Sequence, residues 1–180
     1  MPLTLSNWLL ATGYWLLTVE MLSQKAIQEI EAYKARYPDS RSALMPALYV
    51  AQEENGGYLS KEAMRDVAEV MDLTPADVES VASFYSMYNK RPVGKYLIEV
   101  CTNISCSLLG AEKLAGHVEE RLGVPTGENT PDGLFTWKCV ECMASCGGAP
   151  AIQVNGLYHE NITPERFDAL IEQLRAAAKS

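Results

Sequence analysis

The sequence predicts an α+β protein in which an N-terminal helical bundle precedes a mixed α/β domain. Residues 21–92 contain segments whose apolar residues recur every three or four positions, which is the spacing of helices that bury one face. Residues 93–180 instead combine β-rich runs with helical segments and turn dipeptides. The length of 180 residues and the hydrophobic content of 48% suit one ordinary domain or two small ones.

Four helices are predicted in the first part of the chain: Ser23–Tyr37, Ala43–Glu54, one capped by Ser60 and one that begins at Thr74. Thr74 is a suitable N-cap, and Pro75 fills the first helical position, where no N–H group is needed. Towards the end of this helix, the segment SFYSMY places Phe84 and Tyr88 four residues apart. We expect these two side chains to share a face that either anchors a partner or packs against the second, cysteine-containing domain.

The second part of the chain predicts the order β-α-β-β-β-α. The strands are KYLIEVC, FTWKCVEC, PAIQV and LYHE, and helices are expected over residues 108–122 and after Thr163–Pro164. Asn155–Gly156 is a strong signal for a tight hairpin turn between the last two strands. The first strand brings Cys101 to its C-terminal end.

The first twenty residues differ from the rest of the sequence. They are apolar, and the first charged residue is Glu20, so the basic region of a signal peptide and the flanking charges of a spanning helix are both missing. Met21 directly precedes the first predicted helix. We expect translation to start at Met21, with residues 1–20 an artefact of start-site choice.

The charge of the chain argues against nucleic acid as a partner. Lysine and arginine number 15 against 23 acidic residues, which gives a net charge of −8, and no basic cluster is present to neutralise phosphates. An acidic surface suits solubility or a basic face on a protein partner.

The five cysteines lie close together in sequence, at positions 101, 106, 139, 142 and 146. An odd, clustered set is not typical of a secreted disulfide framework and favours reduced thiols that hold a metal in a cytosolic protein. The segment CTNISC contains Cys101 and Cys106, and CMASC contains Cys142 and Cys146. Both pairs begin where a predicted strand gives way to a loop, so two strand-end loops that meet at one edge of a sheet would offer four thiolates to one site.

Three kinds of site compete for these thiols. Structural zinc ligands are spaced C-x₂₋₄-C and usually form two tight CxxC knuckles. The C-x₄-C pair lies at the edge of this range, and the C-x₃-C pair is atypical of such knuckles. A redox disulfide between Cys139 and Cys142 has CxxC spacing but lies at the end of a strand and leaves the first pair unexplained. A [2Fe–2S] cluster uses four thiolates, and the small residues of CMASCGGA give its loops backbone N–H donors and close approach. Plant-type ferredoxins require a further cysteine where Leu109 stands.

The two histidines and Cys139 are not expected to be ligands of this site. A Rieske site needs two histidines, but neither His117 nor His159 is near a cysteine in sequence, and both are expected to be ordinary surface or core residues. Side chains alternate along a strand, so Cys139 and Cys142 would face opposite sides of FTWKCVEC. We therefore expect Cys139 to be a free or core thiol rather than a ligand.

Two stretches of the chain resemble a known family. VASFYSMYNKRPVGKYLIEVCTNISCSLLGAEKL and TPDGLFTWKCVECMASCGGAPAIQVN resemble the small [2Fe–2S] subunit, also called the 24 kDa or E-type subunit, of NADH:quinone oxidoreductase, respiratory complex I. The resemblance covers roughly residues 22 to 178. It implies a helical bundle followed by a thioredoxin-like [2Fe–2S] ferredoxin domain. By position it also implies the cluster ligands Cys101, Cys106, Cys142 and Cys146, with no catalytic residue in this chain.

The resemblance implies a role in electron transfer. In that family the subunit docks on a partner that binds FMN and oxidises NADH, among other peripheral-arm subunits, and the cluster exchanges electrons with the flavin. This places the chain in the cytoplasm, attached to the inner membrane through the complex and without a span of its own. The equivalent subunit of an NAD-linked hydrogenase or formate dehydrogenase, a free-standing [2Fe–2S] ferredoxin and a zinc-stabilised interaction module remain as alternatives.

Overall fold

The structure is a computed structural model that describes residues 22–179, so the expectation about residues 1–20 lies outside the described residues. The described chain divides into two compact units. The first comprises the residues up to Asn55 together with Leu59–Lys90, and the second comprises Gly56–Tyr58 and the residues from Arg91 onward. None of the helices within residues 22–179 combines the length with the apolar character that a membrane span requires.

The first unit consists of four α-helices: α1 Gln24–Lys34, α2 Leu44–Glu54, α3 Lys61–Met71 and α4 Pro75–Phe84. A short 3₁₀ turn, Ser40–Ala43, precedes α2. The predicted caps Ser60 and Thr74 are present, because each side chain accepts a backbone N–H from the first turn of its helix. Ser23 caps α1 in the same way. At α4 the side chain of Asp77 also accepts the N–H of Thr74, which completes a capping box.

The expectation that Phe84 and Tyr88 share a helix face is wrong. Helix α4 ends at Phe84, so the chain leaves the helical path before Tyr88. Phe84 is 79% exposed, whereas Tyr88 is 2% exposed and its hydroxyl donates to the carbonyl of Met45 at 2.9 Å. Tyr88 therefore belongs to the apolar core of the helical unit and not to a surface.

The second unit contains a four-stranded mixed sheet. Its strands are β1 Tyr96–Cys101, β2 Phe135–Val140, β3 Ile152–Val154 and β4 Leu157–His159, in the spatial order β2-β1-β3-β4. Strands β1 and β2 are parallel, and the β1–β3 and β3–β4 pairs are antiparallel. The helices are α5 Ile104–Leu108, α6 Ala111–Leu122 and α7 Pro164–Ala178. The predicted α+β class is confirmed, whereas the observed order is β-α-α-β-β-β-α, because two helices, α5 and α6, stand where one was expected.

Apolar side chains from one face of the sheet pack against α6 and α7. Ile98, Trp137 and Ile152 are buried on this face together with Val118 of α6 and Phe167 of α7. The opposite face is polar in part, since the ammonium group of Lys138 lies 3.2 Å from the carboxylate of Glu99 across the β1–β2 pair. The sheet thus forms one layer and the two helices form the other.

In this unit the predicted hairpin turn is confirmed, whereas the predicted bounds of one helix and one strand are wrong. Asn155 and Gly156 have φ angles of 47° and 80°, the left-handed pair that the tight β3–β4 hairpin requires. The helix expected over residues 108–122 is instead two helices, broken at Gly110 with a φ of 97°, and Leu109 at the break is 61% exposed. Strand β2 ends at Val140, so the strand alternation does not extend to Cys142.

Candidate functional site

Two loops at one end of the sheet bring four cysteines together. Cys101 is the last residue of β1 and is paired in register with Val140, the last residue of β2. The N–H of Thr102 donates to the carbonyl of Val140 at 3.0 Å, which holds the two chain exits side by side. A cavity of about 220 Å³ opens between the loops, and its lining residues are Cys101, Asn103, Ile104, Ser105, Cys106, Cys142, Ser145 and Cys146.

The first loop is short and contains the five-residue helix α5. Asn103 caps this helix by accepting the N–H of Ile104 at 2.9 Å, and its amide nitrogen donates to the carboxylate of Glu141 at 2.9 Å. Asn103 therefore connects the first loop to the second. Cys106 lies in α5 and turns its thiol into the cavity, 3% exposed.

The thiol of Cys106 has a buried and crowded environment. Burial raises its pKa, and the neighbouring thiols of Cys101 and Cys146 act in the same direction. The backbone N–H of Ala151 opposes this shift by donating to the sulfur. Three sulfurs from two loops are thus near enough to influence one another, although 40 residues of sequence separate Cys106 from Cys146.

The second loop, residues 141–149, carries Cys142 and Cys146. Ala144 has a φ of 63°, in the left-handed region that side chains with a Cβ rarely adopt. This turn points the N–H of Ala144 back at the sulfur of Cys142 at 3.3 Å. Cys146 then opens a short 3₁₀ turn, Cys146–Gly148.

The four thiols differ in exposure. Cys101 and Cys106 are 4% and 3% exposed, whereas Cys142 and Cys146 are exposed residues. One side of the cavity is therefore enclosed by the domain, and the other side faces outward from it.

Cys139 lies apart from these four residues. It is an exposed residue in β2 whose thiol is free, and its N–H lies 3.3 Å from the hydroxyl oxygen of Thr126. Partial burial raises the pKa of the Cys139 thiol, while a hydrogen bond from Thr126 lowers it. Of the two expected alternatives, a free or a core thiol, the structure has the first: Cys139 is free and exposed, and it is not among the buried residues that pack with Phe135 and Trp137.

The two histidines have ordinary environments. The Nε2 atom of His117 lies 3.0 Å from a carboxylate oxygen of Asp168, and the ring packs edge-on to Phe167. His159 is in β4.

The donor set suits an iron–sulfur cluster. Four thiols are the ligands that such clusters take, and N–H groups directed at Cys106 and Cys142 favour the anionic sulfur of a bound thiolate. Each iron of a two-iron cluster needs only two protein thiolates, so the ligands need not converge on a single point. Among residues 22–179, no group of three or more His, Cys, Asp or Glu side chains is arranged to hold one metal ion.

Several supporting residues were not anticipated from the sequence. Asn103, Ala151, Tyr158 and Glu160 contact the loops, yet only Asn103 had a local signal, as a cap residue before a helix. The contacts of the other three join segments distant in sequence, which no local pattern encodes.

The fold and the thiols of the second unit together define a small redox-type domain, which follows the helical unit in sequence, and comparison with known families agrees. Residues 30–175 match the family described as thioredoxin-like [2Fe–2S] ferredoxin. The chain belongs to this family. Membership confirms the predicted iron–sulfur cofactor and favours it over the zinc module and the redox disulfide.

Curated relatives extend over most of the chain. It is 45% identical over 152 residues to an E-type subunit of the NADH-quinone oxidoreductase of Rhizobium meliloti, covering 84% of this chain and 90% of that protein. It is 44% identical over 153 residues to the second subunit of the NADH-quinone oxidoreductase of Thermus thermophilus, covering 83% and 84%. The mycobacterial relatives are longer, and the match spans 56% of their length. The predicted resemblance to the E-type subunit is confirmed.

A solved structure of similar fold comes from a different kind of enzyme. The NAD⁺-reducing [NiFe]-hydrogenase in its air-oxidised state superposes with a TM-score of 0.62 at 26% identity. The match covers 74% of this chain and 23% of the hydrogenase chain, so this chain spans about a quarter of that protein.

Proposed function

We propose that this chain is the electron-transfer subunit of an NADH:quinone oxidoreductase. It would carry one [2Fe–2S] cluster on Cys101, Cys106, Cys142 and Cys146. The observation that carries the proposal is the convergence of these four thiols, from two strand-end loops, on one cavity. The curated relatives named as NADH-quinone oxidoreductase subunits supply the context.

The cluster, when bound, would accept and return one electron at a time. The chain's own residues supply the thiolates, N–H donors at two of the sulfurs and a sheet that fixes both loops. NADH oxidation and FMN binding are assigned to a partner subunit, together with the other subunits of the peripheral arm. The proposed site of action is the cytoplasmic side of the inner membrane, where the complex and not this chain provides the membrane attachment.

The exposed side of the cavity fits exchange with a partner. Cys142 and Cys146 lie on the outward side, while the two other cysteines are buried against the domain. An electron donor that docks over the second loop would approach the site without any rearrangement of the sheet.

One observation favours a second candidate function, as the equivalent subunit of an NAD-linked hydrogenase. The fold similarity to the NAD⁺-reducing hydrogenase shows that a related domain occurs in an enzyme of another class. The proteins that purify with this chain distinguish the two contexts, since quinone reductase components support the first and nickel–iron components the second.

The experiment uses the native complex, purified anaerobically. NADH should reduce the [2Fe–2S] cluster and so produce its electron paramagnetic resonance signal, both in the wild-type complex and in a Cys139→Ser complex. The same signal should be lost from a Cys106→Ser complex, because that thiolate is a proposed ligand. Persistence of the signal in the Cys106→Ser complex, or its absence from the wild type, would refute the proposal.

A further inference from the structure

The segment after β3, which includes β4, holds the loop that carries Cys142 and Cys146. The hydroxyl of Tyr158 donates to the carbonyl of Met143 at 2.7 Å, and the hydroxyl of Ser145 donates to the carboxylate of Glu160. The N–H of Asn161 donates to the carbonyl of Gly148 at 2.6 Å. Three positions of one short segment thus bind three positions of the loop.

Glu160 packs against the loop as well as bonding to it. A Cβ built on Gly148 would lie 2.6 Å from both Cβ and Cγ of Glu160, closer than carbon atoms can approach. The aliphatic part of Glu160 therefore occupies the space that any other residue at 148 would need. Ser145 and Gly148 lie on either side of Cys146, so Glu160 contacts the loop on both sides of this cysteine.

The charge of Glu160 is not neutralised by a close cation. No salt bridge among residues 22–179 includes this carboxylate. The nearby guanidinium of Arg166 donates to the carbonyl of Asn161 at 3.0 Å. A negative charge thus remains within one hydrogen bond of the residue that precedes Cys146.

We infer that Glu160 is a positioning residue for the Cys146 side of the site and that its charge lowers the reduction potential of the bound cluster. This inference rests on the proposed function. Adding one electron makes the cluster more negative, so a fixed negative charge nearby disfavours the reduced state. The bond to Ser145 and the packing on Gly148 keep that charge in place.

The size of the effect can be estimated from Coulomb's law. Two unit charges separated by roughly 10 Å at an effective dielectric of 20 change an equilibrium by about tenfold. Glu160 is an exposed residue, and screening by water and salt reduces this value. We expect its charge to change the ratio of reduced to oxidised cluster by about threefold, which is roughly 30 mV for a one-electron couple.

The test is an anaerobic redox titration of the native complex with Glu160→Gln, followed by electron paramagnetic resonance of the [2Fe–2S] signal. Glutamine can still accept a bond from Ser145 but carries no charge. The midpoint potential should rise by the amount given above. Glu120→Gln is the matched control, because Glu120 is an exposed residue near the end of α6 and its substitution removes the same charge at a distance from the site. Its midpoint should equal that of the wild type.

Two results would overturn the inference: equal midpoints in Glu160→Gln and wild type, or an equal rise in Glu120→Gln. Absence of iron and acid-labile sulfide from the wild-type chain would instead refute the proposed function, so the two failures are distinguishable.

Ser145→Ala tests the positioning role separately, because it removes the hydroxyl and keeps the carboxylate. This variant should lose iron to a chelator severalfold faster than the wild type. An unchanged rate would show that the bond does not hold the loop.

Discussion

Two adjacent glycines next to Cys146 should respond very differently to the same substitution. A Cβ added at Gly148 would meet Cβ and Cγ of Glu160 at 2.6 Å, whereas a Cβ added at Gly147 would meet no atom within 4 Å. Neither glycine has a positive φ, so alanine is acceptable to the backbone at both positions. Gly148→Ala and Gly147→Ala therefore form a matched pair that differs only in crowding.

The expected magnitude follows from the overlap. Carbon atoms in ordinary contact lie about 3.5–4.0 Å apart, so Gly148→Ala requires a displacement of roughly 1 Å. Forcing an additional methyl group into a packed position costs about 1–3 kcal/mol. Because the displaced segment carries Cys146, we expect this cost to appear as cluster affinity weakened by about 5- to 150-fold.

The assay is loss of visible absorption from the loaded protein in the presence of an excess of iron chelator. Gly148→Ala should lose its colour at least fivefold faster than the wild type, and Gly147→Ala should match the wild type. Equal rates in all three proteins would show that the contact between Gly148 and Glu160 does not support the site.

Three further outcomes are expected. Cys139→Ser should retain the visible spectrum of the wild type, because Cys139 does not line the cavity; bleaching would make it a ligand. Burial raises the pKa of Tyr88 from 10.0 to about 12, so its contribution to folding should be complete below pH 10 and lost as the pH rises through 12. Denaturant unfolding should show this loss, at most about 2.7 kcal/mol, in the wild type and not in Tyr88→Phe. Thr136→Val removes the hydroxyl that accepts the N–H of Gly94 at 2.6 Å and donates to Asn129, and should cost about 2–3 kcal/mol of unfolding free energy. Its visible spectrum should not change, since Thr136 is near the start of β2 and does not line the cavity that the four cysteines share.

Features encoded by neighbouring residues could be predicted from the sequence. The cap at Thr74 and the turn at Asn155–Gly156 depend on hydrogen bonds and φ angles within a few positions, and both are present. The convergence of the cysteine loops could also be predicted from the sequence, because Cys101 and Val140 end two strands that pair in parallel. Parallel strands place their carboxyl ends at one edge of the sheet, so the loops that follow them are neighbours.

Features set by contacts between distant segments could not be predicted. Tyr88 and Phe84 have the spacing of one helix face, but the helix ends between them and burial of the Tyr88 ring in the helical core decides its position. Cys139 has the position of a core residue in an alternating strand, yet it is exposed and lies outside the core that contains Phe135 and Trp137. The contact of Glu160 with Gly148 gives no local signal, because a glutamate after a short strand has the pattern of an ordinary surface residue.

The most direct test of the account is the iron and acid-labile sulfide content of the anaerobically purified chain, measured with its electron paramagnetic resonance spectrum before and after dithionite. The account predicts two irons and two sulfides per chain, no signal when oxidised and one unpaired spin when reduced. One zinc per chain without sulfide, or a covalent bond between the sulfurs of Cys106 and Cys142, would contradict it.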